Sequence, residues 1–218
     1  MYIIHTQLIT QKTKHTIQLM TIIIGLHGHI GSGKDTIADY LVSHYNFRKI
    51  SFAEPLKRIV SIITGWSFEY LNGQTEEYRV LRETVVHPIF KKTGRQLLQE
   101  IGTDVFRNHF DENIWINIME NSLQTIISQS QSQSPPQNIV VTDCRFENEV
   151  EVLKKFKNNY FIMVHRPPFE EPNRHVSEKK LNIKDAFHVI NNGTLDELYS
   201  KIDYFISFID SNDSNDSK

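Results

Sequence analysis

Thr21-Ile22-Ile23-Ile24-Gly25-Leu26-His27-Gly28-His29-Ile30-Gly31-Ser32-Gly33-Lys34-Asp35-Thr36 joins an apolar, β-branched run to a glycine-rich turn that ends in a lysine. The run predicts a buried strand over Thr21–His27, and apolar-periodic residues through Tyr45 predict a helix after the glycines. Gly28, Gly33 and Lys34 have the G-x-x-x-x-G-K spacing of a phosphate-binding loop. That chemistry needs these residue types. Glycines let the backbone wrap with its N–H groups inward, the helix start adds positive potential, and a lysine brings a full charge to the β- and γ-phosphates. Spacing alone arises by chance in about one chain in twenty of this length at ordinary glycine frequency. The strand-loop-helix setting therefore decides against the plainer alternative, a turn that only admits tight packing. Asp35 stands where Ser or Thr commonly meets magnesium, with Thr36 next.

Working outward, Phe47–Phe52 reads as a second strand, and Glu54-Pro55 starts a helix to about Thr64, proline being well placed in a first turn. From Gln74 to about Leu123 the pattern is helical, with Leu97, Leu98, Ile101, Val105 and Phe106 at compatible spacing. Residues 128–138 have the polar, proline-containing composition of a surface loop. Ile139–Thr142 is a third strand ending at Asp143, Glu147–Lys157 a charged helix, and Tyr160–His165 a fourth strand. Residues 166–180 read as a mobile loop. Phe187–Ile190 is a last strand, Asn192-Gly193 turns the chain, and Thr194 caps a helix to about Ile209. Strands alternating with helices imply parallel pairing and right-handed crossovers, with helices on both faces of the sheet and ligands at the strands' carboxyl ends.

The chain has 218 residues, 39% hydrophobic and 23% charged, which suits one folded domain over 21–210 with an extension at 1–20 and a disordered tail at 211–218. A net charge of -2 gives no basic field for a polymeric nucleic acid. The lone Cys144 excludes an internal disulfide framework and a cysteine-based zinc site, and the ten histidines show no ligand spacing. No apolar run approaches the roughly 20 residues that span a bilayer. Residues 1 to 20 lack both acids and arginine, and Met20 could be a functional start, so deleting residues 1 to 19 is expected to leave activity intact. These features point to the cytoplasm.

Asp143, at a strand end, has two readings. It positions magnesium, or it caps the following helix. Arg145 beside it favours function, since a planar guanidinium suits phosphate oxygens. Phosphoryl transfer needs positioning and charge neutralisation more than a proton-transfer pair, so candidate cations are Lys57, Arg95, Arg145, Arg166 and Arg174.

From about Ile22 to Ile209 the chain resembles the deoxynucleoside monophosphate kinases of phages and large DNA viruses. Gly33-Lys34-Asp35-Thr36 is similar to that family's loop, where aspartate also follows the lysine. The segment from Arg95 to Trp115, with Gly102-Thr103-Asp104, resembles its acceptor-binding helices. Pro55 and Lys57 resemble a proline-x-lysine element, and Asp143, Arg145 and Glu149 an acceptor-side segment; by that analogy Asp143 reads the acceptor rather than magnesium. Arg166-Pro167, His175, Ser177 and Glu178 look like a lid, and Asn192-Gly193-Thr194 like the turn beside the donor adenine. The chain departs from the family in its N-terminal extension, its compact Leu71 to Ile89 region and the loop at 128–138, so base specificity is not carried over.

The resemblance implies a three-layer P-loop kinase fold, a mostly parallel sheet with a helical acceptor-binding insertion at about 66–127 and a lid at about 166–180. It implies ATP as donor, held by Gly31, Ser32, Gly33, Lys34, Asp35, Thr36, Asn192 and Gly193. Lys34, Arg145 and Arg166 would act on the phosphate in transit. Lys57, Arg95, Gly102, Thr103, Trp115, Asp143, Arg145 and Glu149 would hold a deoxynucleoside monophosphate, Trp115 by stacking. Asp35, through water, and Thr36 would face magnesium. The expected partners are small nucleotides, with neither membrane nor polymeric nucleic acid, and self-pairing is left open. Two rivals stand beside this reading, a kinase for another phosphorylated metabolite such as phosphomevalonate, and a non-catalytic ATP-binding module.

Overall fold

The strands are β1 (Ile23–Gly28), β2 (Phe47–Ile50), β3 (Asn138–Val141), β4 (Asn159–His165) and β5 (Phe187–Ile190). They lie in the order β2-β3-β1-β4-β5, each neighbouring pair parallel. The computed structural model describes residues 21–130, 135–167, 181 and 183–215. The helices are α1 (Lys34–Tyr45), α2 (Glu54–Thr64), α3 (Phe68–Asn72), α4 (Glu76–Thr84), α5 (Gly94–Gln99), α6 (Ile114–Ser130), α7 (Glu147–Lys154) and α8 (Leu195–Asn215), with a π-helical segment at Glu100–Phe110.

Alternation along the strands sends Ile23, Ile139, Val141, Phe161 and Met163 to one face and Ile24, Leu26, Val140, Ile162 and Val164 to the other. On the first face they pack with Leu56 and Val60 of α2, Met119 and Leu123 of α6, and Val150 and Leu153 of α7. On the second they pack with Ile37 and Leu41 of α1 and Leu198, Ile202 and Phe205 of α8. Burial on both faces explains why the strands read as unbroken apolar runs rather than alternating ones. The three-layer parallel fold expected from the sequence is present.

The chain leaves β1 towards β2 on one side and leaves β3 towards β4 on the other. Neighbouring β1 and β3 therefore flank the switch point, where loops diverge and open a crevice at the strands' carboxyl ends. The glycine-rich loop follows β1 and Asp143 follows β3, so both motifs open onto it.

The long helical stretch expected from Gln74 to Leu123 is broken. α4 ends at Val85-Val86-His87-Pro88, where β-branched residues and a proline disfavour helix. Val86 instead bridges Thr93, and Thr93 opens α5 by a reciprocal capping box with Gln96. Gly102 lets the π-helical segment reach α2, since a Cβ there would stand 2.5 Å from Leu56 Cδ2. The tail, expected to be disordered from 211, continues α8 to Asn215. Extending an existing helix costs far less than nucleating one, so even Ser, Asn and Asp prolong it. The expectations for residues 1–20, 168–180 and 216–218, including Arg174, His175, Ser177 and Glu178, lie outside the described residues.

Candidate active site

The glycine-rich loop takes a shape only glycine permits. Gly28 has φ 153° and Gly33 φ 105°, and a Cβ at either would stand 2.4 Å from a neighbour, Val164 O and Asn191 Nδ2 respectively. The Ser32 amide donates to His29 O at 3.1 Å, closing the turn. Lys34 Nζ folds back over it, donating to Gly28 O at 2.7 Å and His29 O at 2.6 Å. Ser32 Oγ is buried without a hydrogen-bond partner among the described residues. A buried hydroxyl left so is costly, and a phosphate oxygen in the loop is the kind of group that would satisfy it.

Groups from other elements brace the loop. Arg166, just past β4, donates from Nη1 to Gly31 O at 3.2 Å, and Asn191, just past β5, donates from Nδ2 to Ser32 O at 2.8 Å. The expected donor-turn residues Asn192 and Gly193 are exposed beside it. Asn191 escaped the sequence reading because nothing distinguishes it locally from Asn192.

Asp35 and Thr36 open α1. Burial works to raise the Asp35 pKa, but the Lys49 ammonium 3.2 Å away, helped by Lys34, holds the carboxyl below its ordinary range. An ionised carboxylate and a hydroxyl are oxygen donors of the type magnesium takes. Among the described residues no group of three or more His, Cys, Asp or Glu could hold a metal ion.

Across the crevice lies a cationic group drawn from four elements. Lys57 of α2 donates to Asn72 Oδ1 at 2.9 Å. Burial, then the charges of Arg82 and Arg145, pull its pKa below the ordinary value, with Asp143 opposing. Arg95 of α5 pairs with Glu83 at 3.0 Å. Arg82 of α4, its side chain 14% exposed, shares Glu83 at 3.5 Å and donates to Leu71 O at 3.1 Å. Its Nε is buried with no partner among the described residues. Burial and the neighbouring Arg95 both work against its charge. Arg82, Arg95 and Glu83 thus meet beside Lys57 and Arg145, and a group of cations suits the oxygens of a phosphate monoester. Sequence reasoning missed Arg82, which in the charged run 76–83 reads as a solvated helix residue.

Three expected acceptor residues have other duties. Asp143 accepts from the Phe52 amide at 2.8 Å and the Ala53 amide at 3.0 Å, so it holds the turn that leads into α2. Trp115 is 4% exposed, meets Phe106 edge-on and donates from Nε1 to Gly102 O at 3.0 Å. This corrects the base-stacking role, for the indole joins α6 to the π-helical segment and leaves almost no ring face open. Glu149 accepts from Arg107 Nη2 at 2.6 Å and from the Arg145 and Phe146 amides at 2.7 and 3.2 Å. With both oxygens engaged, it holds the backbone that carries Arg145. Arg107, 11% exposed and 4.2 Å above the Phe146 ring, is a second residue the sequence did not disclose. Thr103 is half-buried beside Gly102.

A phosphate loop at the switch point of a parallel sheet, facing a positively charged pocket, makes this a P-loop kinase. The family model for deoxynucleotide monophosphate kinase matches residues 73–202, which carry Arg82, Arg95, Asp143, Arg145 and Asn191. A protein of Acanthamoeba polyphaga mimivirus named as a deoxynucleotide monophosphate kinase is 32% identical over 186 residues, 83% of this chain and 94% of its own. The deoxynucleoside-5'-monophosphate kinase of Escherichia phage T5 is 27% identical over 190 residues, 62% of this chain and 73% of its own. Among solved structures, dephospho-CoA kinase from Campylobacter jejuni aligns at a TM-score of 0.42 and 17% identity, covering 88% of this chain and 100% of its own. That likeness is too loose to carry a conclusion. The chain belongs to the deoxynucleotide monophosphate kinase family.

No helix among the described residues is long and apolar enough to cross a membrane.

Proposed function

We propose that the chain moves the γ-phosphate of ATP onto the 5'-phosphate of a deoxynucleoside monophosphate, giving ADP and the deoxynucleoside diphosphate. An acceptor phosphate oxygen forms the new bond to the γ-phosphorus as the β,γ-bridging bond breaks and its electron pair leaves on ADP. One observation carries this reading. Asp143, at the end of β3 beside the strand that carries the phosphate loop, binds the Phe52 and Ala53 amides just before α2, the helix that bears Lys57, which supports one crevice for the two halves.

In this account the loop amides and Lys34 hold the donor's phosphates, and Arg166 neutralises charge between donor and acceptor. Arg82, Arg95, Arg145 and Lys57 orient the acceptor phosphate, which fixes the line of attack. Asp143, Glu149 and Trp115 act through the backbone they hold. Asp35 and Thr36 would hold magnesium, directly or through water. When bound, that ion neutralises charge on the phosphate oxygens. Free nucleotides as substrates suit the cytoplasm, the host's if the chain is viral.

Incubation with γ-labelled ATP, magnesium and a panel of deoxynucleoside monophosphates, with phosphomevalonate in a parallel arm, tests the reading. Label is expected in a deoxynucleoside diphosphate. Label only in inorganic phosphate, or only in the phosphomevalonate product, would end it.

A further inference from the structure

We propose that Asn191 is a positioning residue for the donor phosphates, setting the direction of the Gly33 amide. Three observations meet on this residue. Its Nδ2 donates to Ser32 O at 2.8 Å. The same nitrogen lies 2.4 Å from where a Cβ on Gly33 would stand, so amide group and loop are fitted to each other. Its backbone N–H donates to His165 O at 2.7 Å, tying it to the end of β4, whose next residue, Arg166, reaches Gly31 O.

The consequence follows from the planarity of the peptide bond. In a trans peptide the C=O and the following N–H point in opposite directions. Holding the Ser32 carbonyl outward on Asn191 aims the Gly33 N–H away from β5 and into the loop. Among the described residues that N–H makes no backbone hydrogen bond of its own. With φ at 105°, Gly33 has no side chain to resist a flip of this peptide, so something outside the loop must hold it. Ser32 Oγ, buried beneath the same turn, does not supply the restraint, since it has no partner there. Asn191 therefore keeps one donor of the phosphate nest aimed before the nucleotide arrives, and lowers the ordering cost of binding.

This inference rests on the loop's binding the donor and not on the identity of the acceptor. The test uses the full chain with Asn191→Ala and Asn191→Asp, reading ADP affinity by calorimetry and KM for ATP and acceptor separately. Loss of one such restraint is expected to weaken ADP and raise KM for ATP about tenfold. KM for the acceptor should stay within about twofold, the scatter of an uncoupled site. Asn191→Asp, isosteric but placing a carboxylate against the Ser32 carbonyl, should lose more, and its near-native shape covers the case in which the alanine variant does not fold. Unchanged ADP affinity in a folded variant, or equal rises in both KM values, would overturn the proposal. A parent that bound ADP but phosphorylated no nucleotide would break the acceptor reading and leave this one standing.

Discussion

The donor and acceptor halves of the crevice are built by opposite means. The phosphate loop is one contiguous segment, residues 28–36, whose backbone does the binding and whose geometry is set by glycines and the start of α1. The proposed acceptor pocket is side chains from α2, α4, α5 and the loop after β3, held by Asn72, Glu83 and Glu149. A backbone site is fixed by local sequence and needs few supports. A side-chain site exists only once several helices have packed, so its supports matter as much as its contacts.

The largest effect should come from the donor half. Lys34→Ala removes the lysine charge inside the loop's span and is expected to lower kcat about 10²–10³-fold, measured by ADP release at saturating acceptor. Arg82→Met, which keeps the buried stem and deletes the charge, should raise KM for the acceptor about 10- to 100-fold and leave KM for ATP unchanged. An equal rise in both would mean that the two halves are not separate. Asp143→Asn leaves one of the Phe52 and Ala53 amides without an acceptor. It should cost about 1–3 kcal/mol of stability, read as a lower urea midpoint at unchanged slope.

The smallest effect concerns pH. Burial, then Asp143, push the Glu149 carboxyl up to about 7, against its bonds to the Arg145 amide and Arg107. The folded protein thus binds a proton that the unfolded chain has released. Stability from this group is full below the ordinary carboxylate value and is lost as pH rises through about 7. Glu149→Gln should flatten that part of the stability profile, checked by thermal unfolding between pH 4.5 and 7.5. A slope identical to the parent's would assign the pH dependence elsewhere.

The same contrast governs how much could be read in advance. All five strands and the loop were legible because each is a local pattern of a few residues. Lys57, Arg95 and Arg145 were legible only as candidates, and the resemblance rather than spacing placed them near an acceptor. Arg82 was not, since its partners Leu71, Glu83 and Arg95 meet it only after α3, α4 and α5 have packed. The packing partners of Trp115 and Asp143 were not legible either. An exposed tryptophan and one that ties two helices together look alike in sequence, and a strand-end aspartate does not reveal that it holds the turn before α2, about ninety residues earlier. The break between α4 and α5 was missed because helical periodicity resumed on both sides of it.

Two phosphate sites sharing one crevice and facing each other is what everything above depends on. A bisubstrate analogue, adenosine joined to a deoxynucleoside through a five-phosphate bridge, tests it by calorimetry on the parent, Lys34→Ala and Arg82→Met proteins. One analogue per chain is expected, bound far more tightly than ATP or the monophosphate alone, with both variants losing that advantage. Affinity no better than ATP alone, or binding indifferent to Arg82, would contradict it.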